Sequence, residues 1–259
     1  MTIALSTHKL QVGYRKNHPI LTDVNLQIES GSFTAIIGAN GCGKSTLLLA
    51  LARQLAYRGK VYLGGQDAAS LTAKQYAREL AFLPQNPLAP EGVRVRSLVE
   101  RGRDPYRRAF LPLTLADHSA VDGALARLDL DQMDEQLLSS ISGGQRQRVW
   151  LAMTLAQQTE IILLDEPTAF LDLAYQACLL NICRSLAREG KTVLAVLHDL
   201  NLAAAFANKI IVIHQGGVYV QGNPQQCFTQ PVLAEAFGLQ AETILHPDTA
   251  VPLVLPTVH

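Results

Sequence analysis

Apolar positions change their spacing along the chain, and each change marks an element. Leu10-Gln11-Val12-Gly13-Tyr14 and Val24-Asn25-Leu26-Gln27-Ile28 alternate apolar and polar residues, the period-two pattern of strands with one buried face. Phe33-Thr34-Ala35-Ile36-Ile37, Ile161-Ile162-Leu163-Leu164-Asp165 and Thr192-Val193-Leu194-Ala195-Val196-Leu197 are almost unbroken apolar runs. Short runs of this kind suit strands buried on both faces of a parallel sheet. Helical spacing predicts helices over about 44–56, 173–189 and 200–207. Strands alternating with helices imply βαβ units around a mostly parallel sheet, an α/β fold.

Residues 87–140 break this alternation. Helical patterns at 95–101 and 116–128 sit among Pro87, Pro90, Pro105 and Pro112, so the segment reads as a mainly helical lobe inserted between sheet strands. From Ile210 the chain returns to short strands and a helix near 231–237, and residues 251–259 carry no pattern.

Composition narrows the functional classes. The 259 residues can bury a sizeable core, and a 48% hydrophobic content excludes disorder. Twenty-two basic residues balance 22 acidic ones, which argues against general nucleic-acid binding. No run approaches the ~20 apolar residues of a membrane helix. Met1-Thr2-Ile3-Ala4-Leu5 lacks a basic region and a cleavage site, so no signal peptide is expected. Cys42, Cys178, Cys183 and Cys227 show no metal-ligand spacing and read as reduced thiols.

Gly38-Ala39-Asn40-Gly41-Cys42-Gly43-Lys44-Ser45 matches G-x-x-x-x-G-K-S/T at every fixed position and lies between a buried strand and a helix. Glycines let consecutive N–H groups wrap phosphate oxygens, and the following helix aims its positive end at the same anion. Lys44 is placed to neutralise β/γ-phosphate charge, and Ser45 to offer a hydroxyl to Mg²⁺. Cys42 reads as a small filler within the loop. Asp165 and Glu166 end the second buried strand. Two carboxylates there call for a cation or water: Asp165 to hold Mg²⁺, directly or through water, and Glu166 to polarise an attacking water. Read alone, the pair would be a helix cap before Pro167-Thr168. His198-Asp199 follows the third buried strand, at the edge where open α/β sheets bind ligands. His198 can hydrogen-bond the γ-phosphate or the water, and Asp199 can cap the next helix.

Ile141-Ser142-Gly143-Gly144-Gln145-Arg146-Gln147-Arg148 opens a helix predicted to begin near Gln145, a second anion site. This stretch resembles the Leu-Ser-Gly-Gly-Gln signature of the ABC ATPases, with Ile141 in place of leucine. The resemblance covers about residues 10–239 and implies a P-loop NTPase fold of the ABC type: a mostly parallel core sheet with an antiparallel β subdomain and an inserted helical subdomain. It divides the chain into a catalytic core at 1–86 and 141–240, a helical subdomain at 87–140 and a C-terminal tail at 241–259. It implies ATP and Mg²⁺ as ligands, with Gly38, Ala39, Asn40, Gly41, Cys42, Gly43, Lys44, Ser45 and Thr46 around the phosphates. Tyr14 resembles the aromatic that stacks on adenine. Gln85 resembles the loop glutamine that reaches Mg²⁺ and water, and Leu171-Asp172 resembles the loop between paired sites. Ala169 departs from a common serine or threonine, and Ala39 from a common proline.

In that family the signature of one subunit, here Ser142, Gly143, Gly144 and Gln145, closes on the nucleotide of another. A head-to-tail homodimer with two ATP molecules at its interface is therefore expected. Residues 91–93, 101–106 and 198–203 look like importers of iron–siderophore complexes, haem and vitamin B12, the ferric-siderophore and ferric-citrate group above all. Taken alone, 101–108 reads as a solvated basic patch. The importer resemblance implies a membrane permease dimer, an extracytoplasmic binding protein acting through it, and a peripheral position on the cytoplasmic face of the bacterial inner membrane. A non-transport ABC ATPase, such as an iron–sulfur assembly scaffold, would share the same ATP chemistry.

Overall fold

The computed structural model describes residues 2–15, 18–107, 111–169 and 171–257. Strands β1 (Ile3–Val12), β2 (Leu21–Glu29) and β3 (Phe33–Ile37) lead into helix α1 (Lys44–Leu51). Then come β4 (Tyr57–Leu63), β5 (Gln66–Asp67), α2 (Ala73–Glu79) and β6 (Leu80–Leu83). Helices α3 (Val95–Glu100), α4 (Leu115–Arg127) and α5 (Gly143–Ala156) precede β7 (Ile161–Asp165), α6 (Leu173–Arg188), β8 (Thr192–Val196) and α7 (Leu200–Phe206). The chain ends with β9 (Lys209–His214), β10 (Gly217–Gly222), α8 (Pro224–Cys227), α9 (Gln230–Phe237), β11 (Ala241–Leu245) and β12 (Pro252–Pro256).

The core sheet runs β10-β9-β3-β8-β7-β6. Its pairs are parallel except β9 with β10. An antiparallel sheet, β2-β1-β4-β5, lies beside it. Successive side chains of a strand point to opposite faces, and both faces of the core sheet are covered. Ile36, Leu163, Leu194, Val196 and Ile211 pack with Leu47, Leu48 and Leu51 of α1 and with Leu10, Val24 and Leu26 of the antiparallel sheet. Ala35, Ile37, Ile162, Leu164, Val193 and Val212 face Val149, Leu151 and Leu180 of α5 and α6 on the other side. This double burial is why β3, β7 and β8 are apolar throughout, and their parallel direction puts three loop starts at one edge of the sheet.

Several predicted boundaries move. Helix α1 stops at Leu51, not near 56. Arg53 turns to a φ of 57°, and the N–H groups of Gln54 and Leu55 both bond the Leu49 carbonyl, reversing the chain into β4. Strand β1 ends at Val12, whose carbonyl accepts the Ile20 N–H, so Tyr14 lies outside the sheet. Helix α5 starts at Gly143, two residues before the expected position. Residues 251–257, patternless in sequence, include β12; positions 258 and 259 lie outside the described residues.

Of the 101–108 segment, Arg101 and Arg107 are exposed as a solvated patch would be, but Arg103 is not. Arg103 is buried, donates from Nε to Asp117 at 2.8 Å and from Nη1 to the Ala156 carbonyl at 2.8 Å, and stacks on Tyr106. Arg78 lies over the same ring and holds the Pro105 carbonyl. Two hydrogen bonds from Thr114, with the Arg103 guanidinium, hold the Asp117 carboxyl down at about 2. Arg108, part of the same patch reading, lies outside the described residues. Gly102 lets this segment touch α5: a Cβ there would sit 2.2 Å from the Met153 backbone oxygen. Gly102→Ala is expected to destabilise the fold by about 1–3 kcal/mol in urea unfolding, the cost of overpacking a rigid contact.

Candidate active site

The loop after β3 wraps back over the sheet edge. Gly38 has a φ of 154° and Gly43 a φ of 109°. A Cβ at Gly38 would lie 2.3 Å from the Ile213 oxygen, and one at Gly43 would lie 2.6 Å from a Leu21 methyl. Both positions thus require glycine for conformation and for space. No side chain caps α1, so its first N–H groups face the loop. Lys44 is buried, and its Nζ donates to the Gly38 and Ala39 carbonyls at 2.9 and 3.0 Å. The ammonium is thereby held over residues 38–43. Burial pushes the Cys42 thiol up, which fits the filler role. Ala39, Asn40 and Gly41 are exposed at the loop's tip, and Thr46 is buried beneath it.

Ser45 donates its hydroxyl hydrogen to Asp165 Oδ1 at 2.9 Å, across the β8 strand that separates β3 from β7. Burial raises the Asp165 carboxyl, the nearby Glu166 charge adds to this, and Ser45, Lys44 and His198 oppose it. A cation beside Asp165 would favour its ionised form. A hydroxyl and a carboxylate side by side are hard oxygen donors, the kind Mg²⁺ takes together with substrate phosphates. Among the described residues no cluster of three or more His, Cys, Asp or Glu forms an all-protein metal site. The donor set therefore fits a phosphate-bound Mg²⁺.

Glu166 takes a φ of 51° as the chain leaves β7. Its carboxylate accepts from Gln85 Nε2 at 2.5 Å and pairs with His198 Nε2 at 2.6 Å. Gln85, Glu166 and His198 follow three neighbouring strands, β6, β7 and β8. The sheet thus joins residues 81 and 32 positions apart in sequence. The Glu166 side chain is 14% exposed and that of His198 48%, so the cluster has one open side. Asp199 points elsewhere: it caps α7 through the Leu202 N–H at 2.8 Å. The helix-cap reading of Asp165 and Glu166 fails, because α6 starts only at Leu173 and Asp172 caps it, accepting from Tyr175 N at 2.9 Å.

Ser142 and Gln145 form a capping box at the start of α5: the Gln145 N–H reaches the Ser142 hydroxyl at 3.2 Å, and the Ser142 N–H reaches Gln145 Oε1 at 2.8 Å. Gly143 has open space around it. Helix α5 packs on α3 and α4. No hydrogen bond among the described residues joins 142–145 to 38–46. Tyr14, 63% exposed, borders a cleft of about 380 Å³ with Val12, Pro19, Tyr57 and Arg58.

Close to Gln85 lies a surface feature that no sequence motif marks. Leu88 is 92% exposed beside a groove of about 260 Å³ lined by Pro87, Val93, Leu138, Arg146 and Trp150. A leucine between Pro87 and Pro90 was the available signal, because prolines keep such a segment out of helices and central strands.

The ABC transporter family model matches residues 21–169. A "Probable siderophore transport system ATP-binding protein" of Bacillus subtilis (strain 168) is 43% identical over 255 residues, 98% of this chain and 92% of its own length. A metal-chelate type ABC transporter solved in an inward-facing conformation superposes with a TM-score of 0.84 at 28% identity, covering 99% of this chain and 98% of its own. A dimeric bacterial ABC transporter cassette superposes at 0.75 with 27% identity, covering 85% of this chain and 98% of its own.

Proposed function

The chain belongs to the ABC transporter family, and on that premise we propose that it is the ATP-hydrolysing motor of a bacterial importer of ferric siderophores. The observation that carries the ATP hydrolysis is the meeting of Gln85 and His198 on the Glu166 carboxylate beside the Lys44 loop and the Ser45–Asp165 pair, and the siderophore class rests on the likeness to the Bacillus subtilis relative. Tyr14 stacks on adenine. The 38–46 loop and Lys44 bind the phosphates. Ser45 and Asp165, with Gln85, would hold Mg²⁺, which when bound neutralises charge on the β- and γ-oxygens. Glu166 accepts a proton from the attacking water and orients it. His198 and Gln85 fix that carboxylate, and His198 reaches toward the γ-phosphate. Catalysis here is positioning and charge stabilisation, the two contributions that dominate phosphoryl transfer.

Ser142, Gly143, Gly144 and Gln145 serve a second chain. The start of α5 shares no hydrogen bond with the cradle among the described residues, and in this reading it meets the nucleotide of another subunit, so two copies pair head-to-tail around two ATP molecules, with Asp172 between the sites. The dimeric cassette among the structural relatives supports this pairing. Segment 87–140 forms the helical lobe, and the groove near Gln85, which Leu88 borders, receives a cytoplasmic helix of a membrane permease dimer. Among the described residues no helix is long and apolar enough to cross a membrane, so membrane attachment is assigned to that partner. The assembly places the chain on the cytoplasmic face of the inner membrane. An extracytoplasmic binding protein hands substrate to the permease.

The test is ATP-driven uptake of radiolabelled iron–siderophore complexes into proteoliposomes holding the chain and its permease, against haem and vitamin B12. Uptake of ferric siderophore alone is the expected result. Uptake of haem or vitamin B12 instead would move the substrate within the importer group. ATP hydrolysis without any uptake would favour a non-transport ATPase.

A further inference from the structure

The C-terminal hairpin β11–β12 has a use that the ATP site leaves unexplained. Its register pairs Ala241 with Pro256, Thr243 with Val254 and Leu245 with Pro252. The ladder bonds join even residues on the β11 side to odd residues on the β12 side: His246 N–H to the Val251 carbonyl, and Thr257 N–H to the Gln240 carbonyl. The even residues of β12 therefore turn their N–H groups outward, as alternate residues of an antiparallel edge do. Pro252 and Pro256 have no N–H to offer. Val254 carries the remaining outward donor, and Asn201 takes it: Val254 N–H bonds Asn201 Oδ1 at 2.7 Å, and Asn201 Nδ2 bonds the Val254 carbonyl at 3.2 Å. One side-chain amide thus occupies the strand edge as a neighbouring strand would. Behind it, Val254 and Ala241 are buried with Ala203 and Ala204 of α7 and with Ala207 just past its end.

Asn201 sits in the first turn of α7, three residues after His198, and Asp199 caps that turn. We propose that Asn201 is a positioning residue: by clamping the tail hairpin to α7, it holds His198 on Glu166. The peptide carrying His198 is then fixed from two sides, by β8 in the sheet and by the hairpin through α7. Such support for a reacting group is worth rate, because small misplacements of catalytic side chains are costly. The inference rests on the reading of His198 as part of the ATP site.

The test is a double-mutant cycle on the full chain, read as kcat and KM for ATP. Asn201→Ala is expected to lower kcat about tenfold with KM for ATP within about twofold. Val254→Pro removes the same hydrogen bond from the tail side and is expected to match it. Melting temperatures check that both variants are folded. In a His198→Ala background neither change should lower kcat further, because residues acting through one partner are not additive. Full additivity in that background, or unchanged kcat in both single variants, overturns the positioning role while leaving His198 in place. An unchanged kcat in His198→Ala alone overturns both the role of His198 and the inference built on it.

Discussion

Glu166→Gln is expected to lose turnover by roughly a thousandfold while binding ATP about as well as the parent, since a positioned general base is worth about 10²–10⁴ in rate. The substitution keeps the size of the side chain and one acceptor oxygen, but not the charge. In the parent the carboxylate accepts from Gln85 and pairs with His198. An amide can satisfy one of these neighbours as acceptor and cannot take a proton from water. The loop at 38–43 and Lys44 are untouched, so the phosphates keep their ligands. Single-turnover hydrolysis and equilibrium binding of ATP separate the two effects. Gel filtration with ATP adds a third readout, because a variant that binds but does not cleave should accumulate the closed dimer. A near-normal rate in Glu166→Gln would remove Glu166 from the chemistry and shift the base to another group.

Lys44→Ala is expected to act on the opposite parameter. The Lys44 ammonium is buried and fixed on two carbonyls of its own loop, so it is already in place when a polyphosphate arrives. Charge-assisted hydrogen bonds contribute about 1.5–3 kcal/mol each. Losing the ammonium should weaken ATP binding roughly a hundredfold, about 2.7 kcal/mol. Titration of a fluorescent ATP analogue checks it. An affinity within about threefold of the parent would mean that the backbone amides and the helix start carry the phosphates without Lys44.

The two variants, read together, separate binding from cleavage at one edge of the sheet. That separation was legible in sequence for local reasons. The cradle is contiguous, and its geometry is dictated by glycine at positions where a Cβ meets backbone or a Leu21 methyl. The apolar runs of β3, β7 and β8 identified the buried strands because both faces of the core sheet are covered. Less was visible where local signals are weak. Helix α2 buries Tyr76 alone of its residues, β6 has four residues, and β4 carries Arg58, Gly59 and Lys60 in its middle. None of these shows a clear period, and each owes its form to neighbours in space.

By itself the sequence determined the residue types and their order: a phosphate loop between strand and helix, carboxylates after one strand, a histidine after another, and a second helix start bearing serine and glycines. It did so because turns, caps and strand periodicity depend on residues a few positions apart. Only the tertiary structure decided which of them meet. The parallel order β3-β8-β7-β6 sets Ser45 against Asp165, and Glu166 against both Gln85 and His198. The same packing buried Arg103 against Asp117 and Tyr106 where its neighbours suggested open solvent, and it seated a patternless tail on α7 through Asn201. Those contacts join residues up to 120 positions apart, and short-range patterns carry no record of them because strand order is settled by which faces bury one another.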